Sequence, residues 1–186
     1  MGGRPRAFRI LAVAASLALP AGCGFHPLYG ESSGAGSAEL QHLRIAPIVY
    51  VAGPLGYNYE LDRTGQLVRN ALLDRLQPRG AAGTALYELH ITLGEAKSEL
   101  AIRSDETATR GNLSVSASYG VIRLRDGKTV AQSSANSVVS YNILRNAFST
   151  VSSETAARER ATREIADSIA NRAAAAINAD RSEAAR

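Results

Sequence analysis

A single cysteine, Cys23, stands among 186 residues, so no internal disulfide can form. In an oxidising compartment that thiol is a liability unless it is chemically committed. Long hydrophobic runs are as scarce as cysteine. The apolar stretch over residues 10–19 is half the roughly 20 residues needed to cross a bilayer as a stable helix and stops at Pro20, so no permanent transmembrane anchor is expected from it. Lysine is nearly absent, with only Lys97 and Lys128. The remaining positive charge is arginine, whose planar fork suits bidentate contact with phosphate or carboxylate, although high genomic G+C content produces the same bias. Strong net charge is missing too. The formal +4 includes Arg4, Arg6 and Arg9; without residues 1–22, 18 basic residues face 17 acidic ones, which is no nucleic-acid footprint.

What is present begins at the N-terminus. Three arginines and no acid precede the apolar stretch, and the small residues Ala21 and Gly22 lead into Cys23. That is the order of charge, apolar core and cleavage site in a secretory signal. The stretch Leu19-Pro20-Ala21-Gly22-Cys23 resembles a bacterial lipobox, with the usual leucine one place early. The resemblance implies a signal peptide over residues 1–22, cleavage before Cys23, diacylglyceryl on its thiol and an N-acyl chain such as palmitate on its new amino group. Each buried methylene contributes about 0.8 kcal/mol, so several chains give lasting anchorage where one does not.

The remaining 164 residues make one ordinary domain. Residues 23–39 read as a lipidated start and a flexible tether rich in Ser, Gly and Ala. The domain is expected over residues 40–180, with a frayed tail at 181–186. Leu43, Ile45 and Val49 alternate with Arg44, Ala46 and Ile48 in a first strand, and Pro47 removes a ladder donor and places that strand near a sheet edge. Leu61, Val68, Leu72 and Leu76 recur at helical spacing, widened by Leu67 and Ala71, with Asn58 as expected N-cap and Pro78 and Gly80 as the stop. Tyr87, Leu89, Ile91 and Leu93 oppose Glu88, His90 and Thr92 in a second strand, with a bulge expected at Gly94 and an extension through Leu100 and Ile102. A polar turn over residues 104–110 leads to a third strand through Leu113, Val115, Ala117, Tyr119 and Val121. Asp126-Gly127 signals a hairpin into a fourth strand through Val130, Val138 and Tyr141. A final helix over residues 153–178 carries Ala161, Ile165, Ile169, Ala173 and Ile177 on one face, with Glu154 in its first turn. The order strand, helix, three meander strands, helix predicts an α+β fold: a four-stranded mixed β-sheet with two α-helices packed on one face and the other face partly open.

Catalytic chemistry is not legible. His26, His42 and His90 have no metal-ligand partner at helical or hairpin spacing, and no nucleophile elbow, zinc-protease helix or phosphate-cradling loop occurs. Glu88 and His90 share a strand face but read better as a solvated pair than as acid and base. No catalytic residue, metal or dissociable cofactor is expected, and binding or assembly is the function class favoured.

After the cysteine the chain reads Cys23-Gly24-Phe25-His26-Pro27-Leu28-Tyr29-Gly30, which resembles the mature start of the LptE family of lipopolysaccharide-assembly lipoproteins in its alphaproteobacterial form. The element order resembles that family over the whole mature chain. The resemblance implies a lipoprotein on the periplasmic side of the outer membrane that plugs and helps assemble the LptD β-barrel and contacts lipopolysaccharide. Gly24 after the lipidated cysteine resembles the outer-membrane sorting pattern. The family's basic glycolipid contact at the end of the second strand corresponds to Arg103, with Arg110 across the hairpin and Arg145 after the fourth strand as further candidates. The alternative is a free-standing periplasmic adaptor that holds a peptide or cell-wall fragment by strand addition to a sheet edge. Pro47 steers such a partner away from the first strand.

Overall fold

The computed structural model describes residues 40–51, 59–78, 80, 83–102 and 108–186. Cys23 and the tether, the loop ending in Asn58, and Arg103 with the start of the polar turn lie outside the described residues. Seven elements follow in order: β1 (Leu43–Ile45), β2 (Val49–Tyr50), α1 (Tyr59–Leu76), β3 (Tyr87–Ile102), β4 (Ala108–Arg123), β5 (Lys128–Asn142) and α2 (Ala147–Ala184). β1 and β2 are consecutive pieces of one edge, both parallel to β3, while β3, β4 and β5 form an antiparallel meander. The expected α+β fold is therefore present, with its first strand divided in two.

Pro47 makes that division. Ile45 stands opposite Leu89 and Val49 opposite Thr92, so four steps on the edge match three on β3. The extra residue is a bulge at the residue type that cannot donate to a ladder. A one-residue slip reverses which side chains face inward. Leu43 and Ile45 are 1% and 5% exposed, whereas Val49 is 60% exposed, contrary to the expectation that it joins them. Tyr50 turns inward instead and lies where a side chain on Gly65 of α1 would otherwise be, since a Cβ there would come within 2.3 Å of the Tyr50 hydroxyl. The bulge expected at Gly94 is absent: Leu93, Gly94 and Glu95 pair in unbroken register with Ala117, Ser116 and Val115.

The inner face of the meander is apolar through Leu89, Ile91 and Leu93 on β3 and Leu113, Val115, Ala117, Tyr119 and Val121 on β4, all buried. On α1, Leu61, Val68, Leu72 and Leu76 are buried against it, and Gly80 ends the helical segment with φ 84. α2 contributes Ala157, Ala161, Ala166, Ala170, Ala173 and Ala174, interleaved with Ile165, Ile169 and Ile177. The alanines let it lie close to the sheet, and each buried isoleucine contributes about 1.5–3 kcal/mol. This helix is longer than expected at both ends. It starts at Ala147 because the Asn146 side chain accepts the Phe148 N–H as an N-cap, and it continues to Ala184. Glu154 thus belongs to the second turn, not the first.

Its displaced position gives Glu154 a different task. Glu95 points inward from β3 and is received by Arg158 of α2, Nη2 to Oε1 at 3.0 Å and Nε to Oε2 at 3.3 Å, while the Thr64 hydroxyl of α1 donates to Oε2 at 2.7 Å. Both charged side chains are nearly inaccessible, at 4% and 6%. Arg158 also donates to Glu154 at 2.7 Å, and Lys97 pairs with the same carboxylate. Burial alone would raise the Glu154 pKa, but the hydrogen bonds from Lys97 and Arg158 outweigh it and hold it below the ordinary range. One charge cluster thus ties β3, α1 and α2 together.

Replacing Arg158 with leucine strands a buried carboxylate and is expected to cost about 3–5 kcal/mol in urea unfolding, whereas Glu95→Leu/Arg158→Leu should recover most of that loss. Because the Glu154 pKa is depressed in the folded state, its contribution is present above the ordinary value of 4.5 and lost as pH falls through the lower folded value. The urea midpoint should therefore drop below pH 4.5, and drop less in Glu154→Gln.

Candidate functional site

The strand register defines what the uncovered face of the sheet offers. Outward positions run Thr92, Gly94, Ala96 and Ser98 on β3; Asn112, Ser114, Ser116, Ser118 and Gly120 on β4; and Gln132, Ser134, Asn136, Val138 and Ser140 on β5. These are small and uncharged, and they bond across strands: the Ser140 hydroxyl donates to Asn112 Oδ1 at 2.7 Å and the Ser114 hydroxyl to Asn136 Oδ1 at 3.3 Å. The result is a mostly polar surface, interrupted by Ala96 and the exposed Val138, without charge through its middle.

Charge is confined to the two ends. At the end where β3 begins, Glu88 accepts from Arg44 at 2.8 Å and pairs with His90 at 3.0 Å. Burial pushes the Glu88 pKa up, but the bonds to His90 and Arg44 outweigh it and leave the carboxyl below its usual range. A carboxylate paired with Arg44 and hydrogen-bonded to His90 is a poor general base, so Glu88 and His90 belong to a hydrogen-bonded polar cluster at a sheet end. Behind it, Arg123 donates through Nη1 to both oxygens of the buried Asp180 at 2.8 Å, and the Tyr87 hydroxyl donates to the same carboxylate at 3.0 Å. Arg123 also grips Asp126, whose pKa is lowered to about 2, chiefly by that hydrogen bond. This clamp fastens the C-terminal part of α2 to the β4–β5 turn, where Gly127 takes φ 68. An open cavity of about 320 Å³ lies beside it, lined by Leu86, Tyr87, Arg125 and Arg181.

The opposite end carries the predicted arginines. Arg110 of β4 stands across from Asn142 of β5, and Arg145 follows three residues later in the turn into α2. Both are exposed, and no ion-pair partner faces either among the described residues. Arg103 lies outside the described residues; Ile102 before it pairs with Ala108 at this same end. The structure thus brings Arg110 and Arg145 to one tip. Sequence reasoning missed the tip's apolar component, Leu144, Phe148 and Val151, because it began the last helix at residue 153. Among the described residues there is no cluster of acidic, histidine or cysteine side chains able to hold a metal ion, and no helix is long and apolar enough to cross a membrane.

A mixed sheet with both helices on one face and a small-polar other face is a fold shared with bacterial lipoproteins. A candidate lipoprotein of Caulobacter crescentus CB15 superposes with TM-score 0.55 at 19% identity, covering 76% of this chain and 95% of that one. Rare lipoprotein B of Shewanella oneidensis gives TM-score 0.51 at 15% identity over 75% and 98%. Lipoprotein B of Nitrosomonas europaea gives 0.51 at 11% over 74% and 88%. At these identities the likeness shows the fold. No curated protein sequence matches the chain. The family profile for lipopolysaccharide assembly, LptE, matches residues 46–173. The chain belongs to the LptE family, and its function at family level is that of a lipopolysaccharide-assembly lipoprotein.

Arg110→Ala and Arg145→Ala should each leave urea stability within about 0.5 kcal/mol of the parent, since neither exposed guanidinium is needed for packing. A larger loss would show that the tip arginines hold the fold.

Proposed function

We propose that this protein is acylated at Cys23, held on the periplasmic side of the outer membrane, and seated as a plug in the LptD β-barrel, where it supports barrel assembly and contacts lipopolysaccharide in transit. The family match carries this reading, and the physical character of the uncovered face supports it. An uncharged surface built mostly of serine, asparagine, threonine, glutamine and glycine, with Ala96 and Val138 among them, suits a wet, hydrogen-bonding lumen. Dimensions support it as well. At about 3.3 Å per residue the 16 residues of β4 extend about 50 Å, comparable to a bilayer of about 40–45 Å with its headgroups. The first described residue, Leu40, is buried where His42 accepts the N–H groups of Leu86 and Tyr87. Leu40 therefore lies at one end of the sheet, and Arg110 and Arg145 lie at the other.

In this reading Arg110 and Arg145, with Arg103, clamp phosphate on the glycolipid bidentately. The strand-addition alternative has less in its favour. At the β5 edge of the sheet, the Ser134 and Ser140 carbonyls already accept from Arg172 and Arg160 of α2, which guards that edge.

Purification of the acylated chain in detergent should bring down a large outer-membrane barrel protein, and its depletion should leave lipopolysaccharide off the cell surface. Recovery as a free monomer with normal surface lipopolysaccharide would contradict the proposal.

A further inference from the structure

The cavity of about 320 Å³ beside the Arg123 clamp opens between the start of β3 and the end of α2. Its walls are largely apolar: Leu86, the Tyr87 ring, Ala184 and Ala185. The two alanines give it its width, because they end α2 where larger side chains would close the space. Leu86 is 48% exposed although its backbone is fixed, since its N–H donates to the His42 carbonyl at 2.8 Å and its carbonyl accepts the Leu124 N–H at 2.9 Å. An ordered apolar wall open to water marks a surface that gains from being covered.

The chain carries one cover within reach. Leu43 pairs with Tyr87, so Leu40, three residues earlier, lies within about 15 Å of the cavity wall. Residues 31–39 are mostly serine, glycine and alanine, and before them stands Phe25-His26-Pro27-Leu28-Tyr29, which holds no acid, lysine or arginine. The connection from Gly30 to Glu39 can span at most about 36 Å, more than the distance required. We infer that residues 25–29 dock in cis into this cavity, with their aromatic and leucine side chains against Leu86, Tyr87 and the two alanines. Covalent linkage favours this occupant over a separate protein, because a short linker gives its segment a local concentration in the millimolar range. Pro27 fixes its own φ and steers His26 to extended backbone, which lowers the entropy cost of docking.

Docking has a geometric consequence. It leaves Gly24 alone between Cys23 and the seated segment, so an acylated chain holds this end of the sheet against the bilayer, whereas an undocked tether would allow about 55 Å. That consequence rests on acylation of Cys23; the docking itself does not.

The test uses the full chain purified from its membrane in detergent, with Tyr29 replaced by p-benzoylphenylalanine and then irradiated. Intrachain adducts should concentrate on the peptides that carry Leu86 and Ala184 with Ala185. Ala184→Phe/Ala185→Phe narrows the cavity at two exposed positions and should cut the adduct yield about tenfold with the urea midpoint unchanged. Adducts scattered over the domain, formed chiefly with detergent or with a co-purifying barrel, or insensitive to the alanine substitutions overturn the inference. The mass of the N-terminal peptide reports the acyl chains separately, so a failure of docking and a failure of the anchor reading are told apart.

Discussion

The ladder joining β3, β4 and β5 runs from the Tyr87–Arg123 pair to Glu99–Gly111 without a register shift on the β3 side and holds a twisted slab about 50 Å long. Such a slab has two faces, and this chain supplies helices for one. α2 has 38 residues, about 57 Å, and its buried positions run from Ala157 to Asp180. The uncovered face must remain compatible with water or with another polar surface. Ser140 and Ser114 donate across strands to Asn112 and Asn136, and no outward position between the ends carries charge. Charged groups are moved to the slab's ends or inward to Glu95 and Arg158.

Much of this was legible from residue order. Alternation located β3 and β4, the Asp126-Gly127 turn located β5, and the spacing of Leu61, Val68, Leu72 and Leu76 located α1, because period two, period 3.6 and turn chemistry survive in single sequences. What was not legible depended on contacts between distant residues. Val49 fits the alternation of Leu43 and Ile45, but the slip at Pro47 shows only once β3 is alongside. Gly94 looked like a bulge because glycine in a strand often is one, yet its register holds. The inward direction of Glu95 follows the alternation, but a carboxylate there needs Arg158 from 63 residues away. The start of α2 was missed because Asn146 caps a turn whose residues are exposed and so carry no hydrophobic period. Of the site, Arg110 and Arg145 were named from sequence through the family resemblance, and the structure places them at one end. Phe148 carried no sequence signal beyond being apolar outside any expected element.

The two ends of the slab are unlike, which gives the domain a direction. One end receives the chain at Leu40 and is cross-braced by Arg123, Asp180 and Asp126. The other is unbraced by ion pairs among the described residues and presents arginine and apolar side chains together. The two ends therefore differ in chemistry, one cross-braced by ion pairs and one exposing Arg110, Arg145, Leu144 and Phe148, with the uncharged strand face between them.

The central claim is that this polar face is the partner-facing surface. Photocrosslinking in living cells from Ser116 and Asn136 on the open face, compared with Glu159 and Arg163 on the solvent side of α2, tests it most directly. The account predicts adducts with one outer-membrane barrel protein from the sheet positions, at higher yield than from the helix positions. Adducts from α2 alone, with the sheet face reacting only with water, would contradict it.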